Sequence, residues 1–152
     1  MALVSAYIFK MTIREIRRFN RKVFETVNKL LPQLGPVREA LTEKRFREII
    51  LSAGSHLFVA ETDRKEIAGM LTIGTYDIPS GKKFWVEDVV VDEAHRGKGI
   101  GKELILFAIN YSRSAGGKSV ELTSRPSRIE ANELYRNAGF ILRETNVYRY
   151  EL

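Results

Sequence analysis

Six consecutive residues, Arg96-Gly97-Lys98-Gly99-Ile100-Gly101, set two mobile cations among three glycines. An apolar, β-branched run, Val86 to Val91, precedes them, and a helical pattern over 101–113 follows. A strand entering a glycine-rich turn at the start of a helix is one way to build a phosphate site. The first N–H groups of a helix have no internal partner, and the helix dipole adds partial positive charge beside them. Gly99 and Gly101 lack side chains, so a pyrophosphate can approach the backbone closely. The turn is not a Walker A motif, because Arg96 stands where the first glycine belongs and Glu103 follows Gly101-Lys102. Nor is it G-x-G-x-x-G, since position 102 is lysine, which disfavours a dinucleotide fold.

Carboxylates near this turn are candidates for proton transfer. Glu87 and Asp88 are adjacent on the preceding strand. Regular alternation puts Trp85, Glu87 and Val89 on one face and Val86, Asp88 and Val90 on the other. The two acids therefore cannot both face one pocket from a regular strand. Either acid is equally readable as a solvated or ion-paired surface group. His56 and His95 are the only histidines, and neither sits in a ligand pattern, so no metal site is expected.

These residues need elements to hold them. Residues 3–9 read as a first strand. Thr12 to Glu15 has the T-x-x-E form of a capping box, and Ile16, Phe19, Val23, Val27 and Leu30 fall near one helical face, which predicts a helix over about 13–31. Pro32, Gly35 and Pro36 break it. A second helix is predicted over 42–53, ending at Gly54. The period then changes to that of strands over 56–61, 67–76 and 84–91, with a turn at 63–66 and a polar loop at 77–83. After the glycine turn and its helix, Gly116-Gly117 stops the chain and 119–123 reads as another strand. Ser127 to Glu130 is a second capping-box pattern, opening a helix to about Asn137 with Gly139 as its stop. Residues 140–143 and 147–151 read as final strands. The alternation implies a mixed α/β sheet with helices on both faces, in one domain of ordinary size, 152 residues.

The segment from Glu87 to Phe140 resembles the GNAT superfamily of acyl-CoA-dependent N-acetyltransferases. The likeness rests on three pieces in order: the strand Val86-Glu87-Asp88-Val89-Val90-Val91-Asp92, the turn Arg96 to Gly101 as R/Q-x-x-G-x-G/A, and Asn132-x-x-Tyr135-x-x-x-Gly139-Phe140. Roughly a third of the chain is covered. The resemblance implies an α+β fold with a mostly antiparallel sheet, a splayed parallel strand pair and helices on both faces. It implies acetyl-CoA as donor and CoA as product, with the pyrophosphate on Arg96, Gly97, Lys98, Gly99, Ile100 and Gly101. The pantetheine arm would lie along the backbone of Val89, Val90 and Val91, with Asn132 beside it. A main-chain N–H there would stabilise the oxyanion as an amine attacks directly in a ternary complex. Tyr135 matches the family's general acid; the plainer reading is a half-buried core tyrosine with its hydroxyl satisfied. Glu87 is the candidate base, since an alkyl ammonium has a pKa of about 10.4 and must lose a proton before it attacks. Asn132 has an equally plain reading as a solvated helix residue. A non-catalytic acyl-CoA-binding module on the same fold is the alternative.

Composition narrows the rest. The formal charge is +6, from 25 basic and 19 acidic residues, which favours anionic partners such as a polyphosphorylated cofactor or nucleic acid. Arg14, Arg17, Arg18, Arg21 and Lys22 cluster early, but without a nucleic-acid motif they read as a solvated helix face. No apolar run is long enough to span a bilayer, and the first residues lack the features of a signal peptide. The absence of cysteine excludes disulfides, a thiol nucleophile and thiolate metal sites, and is compatible with a reducing cytoplasm. The acceptor is expected to be a small-molecule or peptide amine. A homodimer is compatible with the family likeness.

Overall fold

The computed structural model describes residues 11–35 and 39–152. Four strands form one antiparallel sheet in sequence order: β1 (Met11–Glu15), β2 (Ser55–Thr62), β3 (Ile67–Ile78) and β4 (Gly81–Val91). Helices α1 (Arg21–Leu30) and α2 (Glu43–Leu51) precede β2, and α3 (Ile100–Ser114) and α4 (Ile129–Asn137) follow β4. The strand expected over 3–9 lies outside the described residues. Among those described, no helix is long and apolar enough to cross a membrane.

Two cores result from strand alternation. On one face, Leu57, Val59, Met70 and Val90 pack under Val23, Val27 and Leu30 of α1 and Phe46 and Ile50 of α2. On the other, Phe58, Ala60, Leu71, Ile73, Phe84 and Val86 pack under Ile100, Leu104, Ile105 and Ala108 of α3 and Tyr135 of α4. Along β2, odd residues Leu57 and Val59 face one helix pair and even residues Phe58 and Ala60 the other.

Several boundaries differ from the sequence reading. Thr12 and Glu15 belong to β1, where Ile13 pairs with Ala60 of β2, so the T-x-x-E pattern caps nothing. The helix instead starts after Asn20, whose side chain accepts from Val23 N at 3.1 Å. The expected polar loop over 77–83 is a tight hairpin: Asp77 pairs with Lys82 and Ile78 with Gly81. Residues 119–123 do not form a full strand. They make a single parallel bridge, Trp85 to Glu121, with Val86 N donating to Glu121 O at 2.8 Å and Glu121 N to Phe84 O at 2.9 Å. The strands expected over 140–143 and 147–151 are absent, and 141–152 runs irregular and exposed. Helix α4 begins at Ile129 with Arg128 at its cap and no side-chain cap bond, so Ser127 does not serve there.

Candidate active site

The sheet loses regularity where β4 meets the glycine turn. Met70 pairs with Val90 but Thr72 with Glu87, so Leu71 alone faces two residues. This is a β-bulge. Asp88 carries it with a φ of 52°, in the left-handed region that side chains other than glycine, asparagine and aspartate seldom enter. The extra residue reverses the alternation. Val86 and, past the bulge, Val89 and Val91 pack toward α3 and α4, while Val90 is buried toward α1 and α2. The regular alternation expected from sequence, with Val86 and Val90 on one face, therefore fails at Asp88.

The bulge coincides with the end of β4's outer pairing. Beyond Val86, no described main-chain group bonds to the edge of β4 that faces 119–123. Asp92 N donates to Ala68 O of β3 at 2.9 Å. Alternation back from Asp92 turns the main-chain groups of Val91 and Val89 to the open edge. Consistent with this, Val91 O accepts from Arg96 Nε at 3.2 Å.

The turn itself follows from its glycines. Gly97 and Gly99 have φ of 75° and 78°, and a Cβ at either would meet nothing within 4 Å. They thread the chain into α3 while leaving its entrance bare. Gly99 caps α3, and Glu103 N returns to Gly99 O at 3.1 Å, so the N–H groups just after Gly99 point out of the helix end. Gly101 is more closely packed: a Cβ there would lie 3.3 Å from Leu134 Cδ2 and 3.7 Å from Val91 Cγ2.

A cleft of about 510 Å³ opens between the outer edge of β4 and the start of α4. Val89, Val90, Val91, Arg96 and Gly101, all expected to hold a cofactor, line it together with Gln33, Arg128 and Leu134. Val90 is 5% exposed in the opposite core, so it meets the cleft through its main chain. Gly97, Lys98 and Gly99 are exposed on the turn beside it. Ile100 is buried, leaving only its backbone available. Asn132 is not on the lining. Its Nδ2 donates to Arg125 O at 2.9 Å and Arg128 O at 2.8 Å, which holds the loop before α4 in place of a conventional cap.

Gln33 was not singled out by sequence, where only the neighbouring Pro32 gave a signal. It sits in a 3-10 turn, Leu31–Leu34, and its Oε1 accepts from Glu93 N at 3.0 Å and from Arg96 Nη2 at 3.5 Å. With Val91 O on Nε, the Arg96 guanidinium is steered from two sides, and its other N–H groups stay available for an anion.

Three titrating groups on β4 and α4 have shifted acidities. Tyr135 is 7% exposed, its ring edge-on to Phe140 at 6.1 Å. Burial raises its pKa above the ordinary phenol value, and the Arg128 charge opposes this only in part. It therefore keeps its proton at neutral pH. Glu87 is raised by desolvation and then by the neighbouring Asp88 charge, and Asp88 is raised by desolvation. Both acids keep surface open to solvent, so local crowding rather than full burial is the cause. Among the described residues no group of three or more acidic or histidine side chains could hold a metal ion.

A glycine turn left bare at a helix entrance thus lies next to an open strand edge, with a protonated phenol in the helix alongside. The acetyltransferase (GNAT) family model matches residues 21–140, and the chain belongs to this family. Glucosamine 6-phosphate N-acetyltransferase 1 of Oryza sativa subsp. japonica is 30% identical over 138 residues, 88% of this chain and 80% of that protein. The solved glucosamine-6-phosphate N-acetyltransferase of Arabidopsis thaliana superposes with a TM-score of 0.74 at 24% identity, covering 93% of this chain and 100% of that one. An aminoglycoside acetyltransferase from an uncultured soil metagenomic sample, in complex with sisomicin, gives 0.82 at 18% identity, covering 93% and 95%. At those identities the two structures establish the shared fold. The chain is an acetyltransferase.

The bulge can be tested by its strain. A β-branched residue at a left-handed position costs about 1–2 kcal/mol, and glycine removes the penalty. Asp88→Val is expected to lower unfolding free energy by about that amount, while Asp88→Gly leaves it unchanged or raises it. Urea denaturation of the two variants measures the difference.

Proposed function

We propose that residues 1–152 form one N-acetyltransferase domain that moves acetyl from acetyl-CoA to a primary amine on a small amino sugar. The observation that carries the donor assignment is the cleft itself. An unpaired strand edge leads directly into a bare helix entrance, as a long carrier arm attached to a pyrophosphate requires. The residues fit such a molecule on two counts. A Cβ at Gly97 or Gly99 would stand in open space at the helix entrance, so glycine keeps that approach clear, and Arg96 is already oriented by Val91 O and Gln33. The amino-sugar class is supported by the rice relative, named for glucosamine 6-phosphate, and by the fold neighbour solved with sisomicin.

Acetyl-CoA, when bound, supplies an acyl group already activated as a thioester. The main-chain N–H groups from Gly97 to Gly101, with Arg96 and Lys98 beside them, bind its phosphates. The outward N–H groups of Val89 and Val91 orient the acyl end and offer a hydrogen bond where negative charge develops. Glu87 accepts a proton from the acceptor ammonium. Tyr135 holds its phenolic proton and donates it from Oη to the departing sulfur. Asn132 serves the loop before α4 rather than the chemistry. The acetyltransferase names of the relatives favour this catalytic reading over a silent acyl-CoA-binding module.

Coenzyme A at a hundred times its Kd is expected to stabilise the fold by about 2.7 kcal/mol, or roughly 5–10 °C at about 2–4 °C per kcal/mol. An unchanged melting temperature at saturating coenzyme A or acetyl-CoA overturns the donor assignment.

Tyr135→Phe is expected to slow thiol release about 10²-fold or more while keeping that thermal shift. Full turnover in this variant removes the acid role.

Glu87 must be ionised to accept a proton, and its pKa is raised. The acid limb of kcat/KM is therefore expected above the ordinary carboxylate value of about 4.3. Glu87→Gln abolishes that limb, and its deficit shrinks as rising pH deprotonates the amine unaided. A deficit constant across pH assigns the proton to another group.

A further inference from the structure

The chain has one tryptophan, Trp85 on β4, and it belongs to neither core. It is half-buried. Phe84 and Val86 on either side of it pack toward α3, so alternation turns Trp85 to the opposite face, with Glu87. Across the ladder Gly74 pairs with Trp85 and Thr72 with Glu87. The apolar packing under α1 and α2 on this face takes in Leu57, Val59, Met70 and Val90, and leaves the indole out.

The indole is held in place from β3. Its Nε1 donates to Tyr76 Oη at 3.2 Å, and Tyr76 is 50% exposed. Between Tyr76 and Thr72 stands Gly74, where a Cβ would meet only Trp85 O, at 3.9 Å. The space above Gly74 is therefore an open notch beside the indole. On the outer side, Glu121 bridges to Trp85. Its neighbours Val120 and Leu122 pack toward α3, which places the Glu121 side chain on the face of Trp85. That carboxylate accepts from Arg143 Nη1 at 2.8 Å. An aromatic wall thus has polar groups around it, and the Tyr76 hydroxyl, which accepts from the indole, keeps its own proton to donate.

These groups suit a sugar ring. A pyranose presents one side made of C–H bonds, polarised positive by the ring's oxygens, to the negative face of an aromatic ring, and its edge carries hydroxyls for a polar rim. We propose that Trp85, fixed by Tyr76, is the specificity-determining wall against which the ring of the acceptor stacks, with the amino group toward Glu87. Same-face neighbours on a strand are about 6–7 Å apart, so one residue serves the ring and the next serves the amine. The proposal rests on acetyl transfer to an amino sugar and adds the residues that select it over a linear amine, which has the charge but no flat side.

Because Trp85 is the only tryptophan, its emission reports on this wall alone. With coenzyme A saturating, glucosamine 6-phosphate is expected to change that emission saturably, with a midpoint near its KM for transfer, while spermidine leaves it unchanged. Trp85→Ala is expected to raise the KM for glucosamine 6-phosphate about tenfold with kcat and the coenzyme A thermal shift kept, and Trp85→Phe to recover most of the loss. The titration of the unmodified chain decides the matter if the alanine variant misfolds. Silent emission, an equal response to spermidine, or an unchanged KM in Trp85→Ala, in a chain that acetylates the sugar, overturns the wall and leaves the transfer reading standing. A chain that acetylates no amino sugar overturns both.

Discussion

The outer edge of β4 is paired only as far as Val86, and the rest of the molecule is organised around that fact. Up to this point the strand is bonded on both sides, to β3 and to Glu121. Past it the main chain is free on one side while remaining anchored to β3 through Val90 and Asp92. Free backbone groups beside a buried core are costly unless something partners them. Here they face a cleft whose far wall is α4 and whose end is the glycine turn. The site is thus a place where secondary structure has been left unfinished under the support of two intact cores.

Electrostatics follow the same arrangement. The cleft end is made positive by main-chain N–H groups and by Arg96, which Gln33 and Val91 hold in place. On the strand side of the bulge stand two carboxylates whose pKa values are raised. On α4 stands a phenol raised by burial. Desolvation raises all three groups in the same direction, and the difference in acidity between the carboxyls and the phenol is that of their residue types.

Much of this was legible in the sequence, and the reasons are local. The glycine turn, its flanking strand and helix, and the helices at 43–51 and 129–137 announce themselves through short-range period and punctuation. So do the cleft-lining positions Val89, Val91, Arg96 and Gly101. What escaped depends on distant partners. The bulge at Asp88 exists only relative to Leu71 across the ladder, so an apolar run gives no hint of it. Gln33 reaches Arg96 across sixty-odd positions of chain. Thr12 and Glu15 mimic a helix start, but pairing of Ile13 and Arg14 with Ala60 and Val59 decides for a strand. The final strands have the right alternation, but 141–152 joins no strand of the described sheet.

The single added residue in β4 has a reach beyond its own turn. Every side chain from Val89 to Val91 owes its direction to that insertion, because a strand with one residue fewer would exchange its two faces from there on. Val90 would leave the hydrophobic packing beneath α1 and α2, and its two neighbours would quit the wall of the cleft for that interior. The shape of the cleft and the seating of the first two helices are therefore set by the same count of peptide units. A lineage can retune side chains on either face one at a time, but it cannot shorten this strand without rebuilding both.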